Sequence, residues 1–329
     1  MEGTNRSVAE EKGRVEARER AVTATATPPV AVAPRRRRPR IPMRRVPWLI
    51  AVPAIALMIG LRFVPAIFSG GYAFTDWTGL SLDANFIGFD NFVGIFTSEI
   101  TRNAVLHTLM FAGLLLVFAN VFGLGLAMLL HRGLKSRNLL RAVFFLPFAL
   151  SHLATGYVWQ YIFSYTGPLN EFLGAIGLTS WQKTWLADPT WSVYTIVAVL
   201  VWQYTGLAMI IYLAGLEGIS EELDDAVAVD GASWWLKFRR VTLPLLAPSV
   251  TIASVLTLIY GLGAFDQVIA LTGGGPVGGT ETLATLVVRH TFTFGQFGYG
   301  SALALLLATI VAILSITQTS VLRWWENRQ

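Results

Sequence analysis

Six runs of this chain are each long and apolar enough to cross a bilayer: residues 46–68, 104–130, 142–165, 191–216, 249–271 and 301–322. A hydrocarbon core takes about 20 mostly apolar residues per helix. No other feature restricts the fold as much, because backbone N–H and C=O groups find no water in hydrocarbon and each run must satisfy them within a helix. Composition agrees: of 329 residues, 54% are hydrophobic and 14% charged, against about 25% charged in an ordinary soluble domain. So few polar groups could not cover the surface of a soluble enzyme. The chain has no cysteine, which excludes disulfides, zinc–thiolate sites and cysteine nucleophiles.

Six spans place both termini on one side. Basic residues in short loops stay cytoplasmic, and with the N-terminus inside, 21 of the 25 Lys and Arg residues fall on the inner side. Twelve precede Val46, and the others are Arg132, Lys135, Arg137, Arg141, Lys237, Arg239, Arg240, Arg323 and Arg328. Arg62, Arg102, Lys183 and Arg289 remain outside. The net charge of +5 therefore records topology and not a nucleic-acid-binding face. Trp77, Trp181, Trp185, Trp191, Trp324 and Trp325 fall where interfacial aromatic belts are expected. The reading is an all-α, multi-pass inner-membrane protein with cytoplasmic termini, in contact with lipid and not with nucleic acid.

Residues 1–45 read as a disordered basic tail, rich in Arg, Glu, Ala, Pro and Thr and nearly without aromatic residues. The tail ends in Arg35, Arg36, Arg37, Arg38, Arg40, Arg44 and Arg45, an inner anchor for the first span that can also touch anionic headgroups. The apolar run behind it is too long for a cleaved signal peptide. Residues 46–325 then form one six-helix domain.

The inner connection at 217–248 departs from the short basic loop expected there. It carries six acids: Glu217, Glu221, Glu222, Asp224, Asp225 and Asp230. Ser220 suits a helix N-cap, and the two glutamates behind it favour the positive end of a helix dipole. A short helix to about Val229 is expected, then a turn at Asp230-Gly231. A second helix follows with Trp234, Trp235, Lys237, Phe238, Arg239 and Arg240, and Pro244 restarts the chain toward the fifth span. Such a hairpin fits a docking device for a cytoplasmic partner or an amphipathic element lying on lipid.

Polar side chains inside spans are costly and mark either a pathway or interhelical hydrogen bonds. The candidates are Asn120, His152, Tyr157, Gln160, Gln203, Tyr204, Tyr260 and Asp266. Asp266, just before a glycine run, is better placed to organise that loop or a helix end. A secondary carrier is expected to hold several buried carboxylates or an ion site, and Asp266 is the one acid read inside the spans. An intramembrane protease needs two facing aspartates, a Ser–His arrangement or H-E-x-x-H for its chemistry, and none is read within the spans. A membrane scaffold without transport remains the alternative.

The run from Leu223 to Pro244, LDDAVAVDGASWWLKFRRVTLP, resembles the EAA loop of permease subunits in binding-protein-dependent ABC importers. Asp225, Ala226 and Val227 take the E-A-A positions, followed by Asp230, Gly231 and Ala232, and Val241, Leu243 and Pro244 match the I-x-L-P ending at the family's spacing. Aspartate replaces glutamate, and valine the second alanine. Outside, LTGGGP from Leu271, the segment Thr280-Glu281-Thr282, and Phe297-Gly298-Tyr299-Gly300-Ser301-Ala302 are similar to the carbohydrate, maltose-type branch. The resemblance implies a six-helix permease whose loop sits as a coupling helix on a cytoplasmic ATPase dimer. It also implies a second permease subunit and an external sugar-binding protein. No Gly-x-x-x-x-Gly-Lys-Ser/Thr run exists here, so the chain itself is expected to carry no cofactor, with ATP and magnesium on the ATPase. A neutral sugar wants amide, hydroxyl and aromatic partners, which makes Tyr157, Gln160, Gln203, Tyr204, Tyr260 and Asp266 the candidate substrate path.

Overall fold

The computed structural model describes residues 46–80, 83–131, 135–220, 222–223, 227, 231 and 233–328. The tail at 1–45 and the loop residues Arg132, Glu221, Asp224, Asp225, Ala226, Asp230 and Ala232 lie outside the described residues. Two compact units are distinguished, Met1–Ile59 and Gly60–Gln329. The first contains α1 (Val46–Met58), and the helices from α2 onward belong to the second.

Among the described residues the regular structure is helical, apart from a single bridge between Thr75 and Phe86. The helices in order are α2 (Val64–Tyr72), α3 (Asp90–Thr97), α4 (Glu99–His131), α5 (Arg137–Ala149), α6 (His152–Ile162), α7 (Pro168–Ala175) and α8 (Pro189–Glu217). Then come α9 (Trp234–Leu245), α10 (Ala247–Leu262), α11 (Asp266–Thr272), α12 (Leu283–Val288) and α13 (Phe297–Glu326). Ala51–Tyr72, α4, α8 and α13 are long and apolar enough to cross a membrane unbroken. The pairs α5–α6 and α9–α10 complete six spans if each bent pair counts as one.

Helix α8 is the central post, and its start is set locally. Asp188 accepts from the Thr190 and Trp191 N–H groups at 2.8 and 3.1 Å, and Pro189 occupies the first helical position, where its missing N–H is not needed. The broad face of α8 packs on α4. Ile196, Leu200 and Tyr204 meet Phe111, Leu115 and Ala119, and further along Ala208, Met209 and Tyr212 meet Ala127 and Leu130. With lipid tails as apolar as Leu, such helices are held by close packing and hydrogen bonds. Small residues permit the approach: a Cβ on Gly123 would stand 2.6 Å from that of Ala208.

Two expected spans are broken. The run 142–165 bends by 96° between α5 and α6. Pro147 weakens the end of α5, Leu150 is extended, and the Ser151 side chain starts α6 by accepting from Ala154 N–H. The run 249–271 ends its helix at Leu262 and resumes at Asp266, with Phe265 outside helical geometry. Behind it, α9 meets α10 at 71°. Pro244 lies inside α9 and does not restart the chain, and the turn before it, Phe238–Thr242, is π-helical. The same arrangement occurs at Pro65, after the π turn Ile59–Phe63. A π turn re-registers carbonyls that a proline leaves without an N–H partner.

Candidate polar path and inner loop

The two breaks face each other. Helix α6 packs on α11, with Gly156 set so tightly against Ala270 that no Cβ fits between them. Beside this contact the rings of Phe148, His152, Tyr204 and Tyr260 gather from α5, α6, α8 and α10. Tyr204 and Tyr260 have centroids 4.8 Å apart, and His152 stacks on Tyr204 at 5.6 Å. Phe148 closes the group edge-on, 5.8 Å from Tyr204 and 6.0 Å from Tyr260.

Gln203, fully buried, runs a polar thread past these rings. Gln267 Nε2 donates to Gln203 Oε1 at 2.8 Å, and Gln203 Nε2 donates to the Pro147 carbonyl at 3.2 Å. That carbonyl is near the end of α5, where the helix leaves backbone acceptors open. Asp266 opens α11 half-buried, directly before Gln267. Gln160 is exposed and reaches only the Leu271 carbonyl, at 3.3 Å. Tyr157 is 52% exposed and takes no part in the ring group. Of the six path residues expected from the sequence, Gln203, Tyr204 and Tyr260 therefore come together with Asp266 one residue from Gln267, and Tyr157 and Gln160 stand apart.

Asn120 belongs to a separate packing network. It accepts from the Tyr212 hydroxyl at 2.7 Å and donates to Thr257 at 2.8 Å, joining α4, α8 and α10. Sequence reasoning missed Gln267, which follows Asp266 directly, and Glu281. Asp266 is not the most enclosed acid: Glu281 is 1% exposed and paired with Arg289.

At the inner end, Arg141 Nη2 donates to Glu217 Oε1 at 2.7 Å. Around this pair a cavity of about 490 Å³ is lined by His131, Arg137, Trp234 and Phe238 among others. Of the EAA-like residues, Val227 is helical, Gly231 takes φ +66° in a turn, and Val241, Leu243 and Pro244 lie in α9. Asp225, Ala226, Asp230 and Ala232 lie outside the described residues.

Residues 119–327 match the family described as the binding-protein-dependent transport system inner membrane component. The chain belongs to this family. The multiple sugar-binding transport system permease protein MsmF of Streptococcus mutans is 33% identical to the permease over 279 residues, covering 85% of the permease and 96% of that protein. AmyD of Thermoanaerobacterium thermosulfurigenes, a probable permease for starch degradation products, is 33% identical over 82% of the chain and 91% of its own. In fold, the permease is similar to a subunit of a bacterial ABC transporter involved in alginate import, with a TM-score of 0.73 at 24% identity over 84% of this chain and 94% of that one. The chain is thus the membrane-spanning subunit of an ABC transport system, a permease and not an enzyme.

Proposed function

We propose that the permease passes a neutral mono- or oligosaccharide from an external sugar-binding protein into the cytoplasm by alternating access. Its termini face the cytoplasm, and a separate ATPase dimer binds and hydrolyses the ATP with magnesium. A second, related permease completes the pathway. The observation that carries the reading is the pairing of the Gln203–Gln267 amides with the Tyr204–Tyr260 face. Amides match sugar hydroxyls as donor and acceptor together, and aromatic faces suit the apolar side of a pyranose ring. The names of the relatives from S. mutans and T. thermosulfurigenes point to the same substrate class.

The coupling role falls to the loop around Asp225, Ala226, Val227, Asp230, Gly231, Ala232, Val241, Leu243 and Pro244, which moves as one body when the ATPase closes. The test is reconstitution of the permease with its ATPase and binding protein in vesicles. ATP-dependent uptake of a sugar should require all components, and replacing Gly231 with Leu should leave ATP hydrolysis while abolishing uptake. Uptake that proceeds without the ATPase would make the chain a secondary carrier. Assembly without uptake of any sugar would make it a scaffold.

A further inference from the structure

Glu281 is a carboxylate with almost no exposed surface, in a segment the sequence presents as an external loop. Burying a carboxylate is costly unless a cation and hydrogen bonds answer it. Here Arg289 Nη1 stands 2.6 Å from Glu281 Oε1, and the Thr285 hydroxyl donates to the other oxygen. Arg289 Nη2 meanwhile donates to the Gly273 carbonyl at 2.7 Å, at the C-terminal end of α11, where helix carbonyls lack partners. The backbone of Gly274, at φ +85°, lies over the carboxylate so closely that a Cβ would overlap it.

The surroundings of this pair tie four helices together. His107 of α4 sits 3.1 Å from the Glu281 carbonyl oxygen, and Thr108 accepts from Leu283 N–H at 2.9 Å. Thr282 donates to Ala264, just past α10, at 2.9 Å. Thr280 Oγ1 lies 2.7 Å from both Thr272 Oγ1 and the Gly275 carbonyl. The loop so pinned presents one side chain outward: Val277, 104% exposed. At its other end α11 carries Gln267, whose amide holds Gln203.

We propose that Glu281, acting through Arg289, is a positioning residue: its charge clamps the Gly273–Gly278 loop to α11, so that contact at the loop apex is passed to the Gln267–Gln203 pair. The apex contact with a loaded binding protein rests on the function proposed above. In the reconstituted transporter, Glu281→Gln and Arg289→Gln should each raise the binding-protein concentration giving half-maximal ATPase stimulation by about ten-fold or more, with the maximal rate within about two-fold. Arg289→Lys should recover most of the loss. The double variant should be no worse than either single one, because the two charges act as a unit. Half-saturation unchanged in both single variants, or effects that simply add, would overturn the proposal. Arg289 is partly exposed, so Arg289→Gln decides the matter if Glu281→Gln does not assemble. If the wild type shows no stimulation by any sugar-loaded partner, the functional reading fails, and amide exchange on the full-length permease still tests the clamp. Exchange at Gly273–Gly279 should be about ten-fold faster in either variant, and equal rates would refute the clamp.

Discussion

The pair α4–α8 and the pair formed by the two broken spans solve the same problem in opposite ways. Helices α4 and α8 run unbroken for 33 and 29 residues, satisfy their own backbones, and meet through small and apolar side chains and the Tyr212–Asn120 hydrogen bond. The runs α5–α6 and α10–α11 each stop midway, and at the stops are the Pro147 carbonyl, Gln203, Gln267 and Asp266. A continuous helix has no backbone group to offer a passing solute. An interrupted one does, provided neighbouring side chains keep the opened groups from facing lipid. The straight helices supply the frame, α8 also turning Gln203 and Tyr204 toward the breaks, and the interrupted ones supply the opened backbone groups.

The comparison breaks most visibly at the frame. Gly123→Leu would force several heavy atoms into the α4–α8 contact and should lower stability by about 3 kcal/mol, measured as loss of assembled permease from the membrane; normal levels would show that the contact is looser than described. Next comes Gly274→Ala in the outer loop, where both the positive φ and the Glu281 carboxylate oppose a methyl group. A loss of about 2 kcal/mol is expected for that strain, visible as a lower midpoint in thermal unfolding of the purified permease.

At the interruption, Gln203→Leu should remove about 1 kcal/mol of stability, as for other interhelical hydrogen bonds. Its main effect should be on transport, raising the sugar concentration for half-maximal uptake. Asn120→Leu breaks a network of similar size in the frame and should leave that concentration unchanged. Equal transport defects in the two would erase the distinction between frame and path.

The smallest effect lies outside both pairs. Asn85, through its side-chain amide and its backbone N–H, holds the Asp76 carboxyl below its ordinary value of 3.8. A lowered value means that the turn is supported above the ordinary carboxylate range, and the support disappears as pH falls through the lowered one. Protection of the Asn85 amide, taken relative to its intrinsic exchange rate, should therefore be lost as pH falls below the ordinary carboxylate range, and Asp76→Asn should abolish that loss.

The frame was legible from the sequence because length and hydropathy decide a membrane span, and all six runs contain helix. The breaks carried weaker marks. Pro147 with Ser151, and Gly261 with Gly263, are tolerated within many membrane helices, so only packing across α6 and α11 reveals that these bends persist. Gln203, Tyr204 and Tyr260 were identifiable as polar groups in apolar runs. Their grouping with Phe148 and His152 was not, since the rings come from four helices. Glu281 was hidden for a different reason. Its neighbours in sequence are those of a loop, and its burial depends on Arg289, eight positions on, and on Gly274 folding back over it.

One consequence of the paired π turns and prolines concerns geometry in motion. A π turn holds one residue more than the α-helix around it, and one residue of α-helix corresponds to about 100° of rotation. The surplus at Phe238–Thr242 lies between the aromatic end of α9 and the start of α10. Moving it along the chain would turn each residue it passes by about 100° relative to its neighbours without stretching any covalent bond. The junction between the inner loop and the span bearing Tyr260 therefore holds one residue of slack.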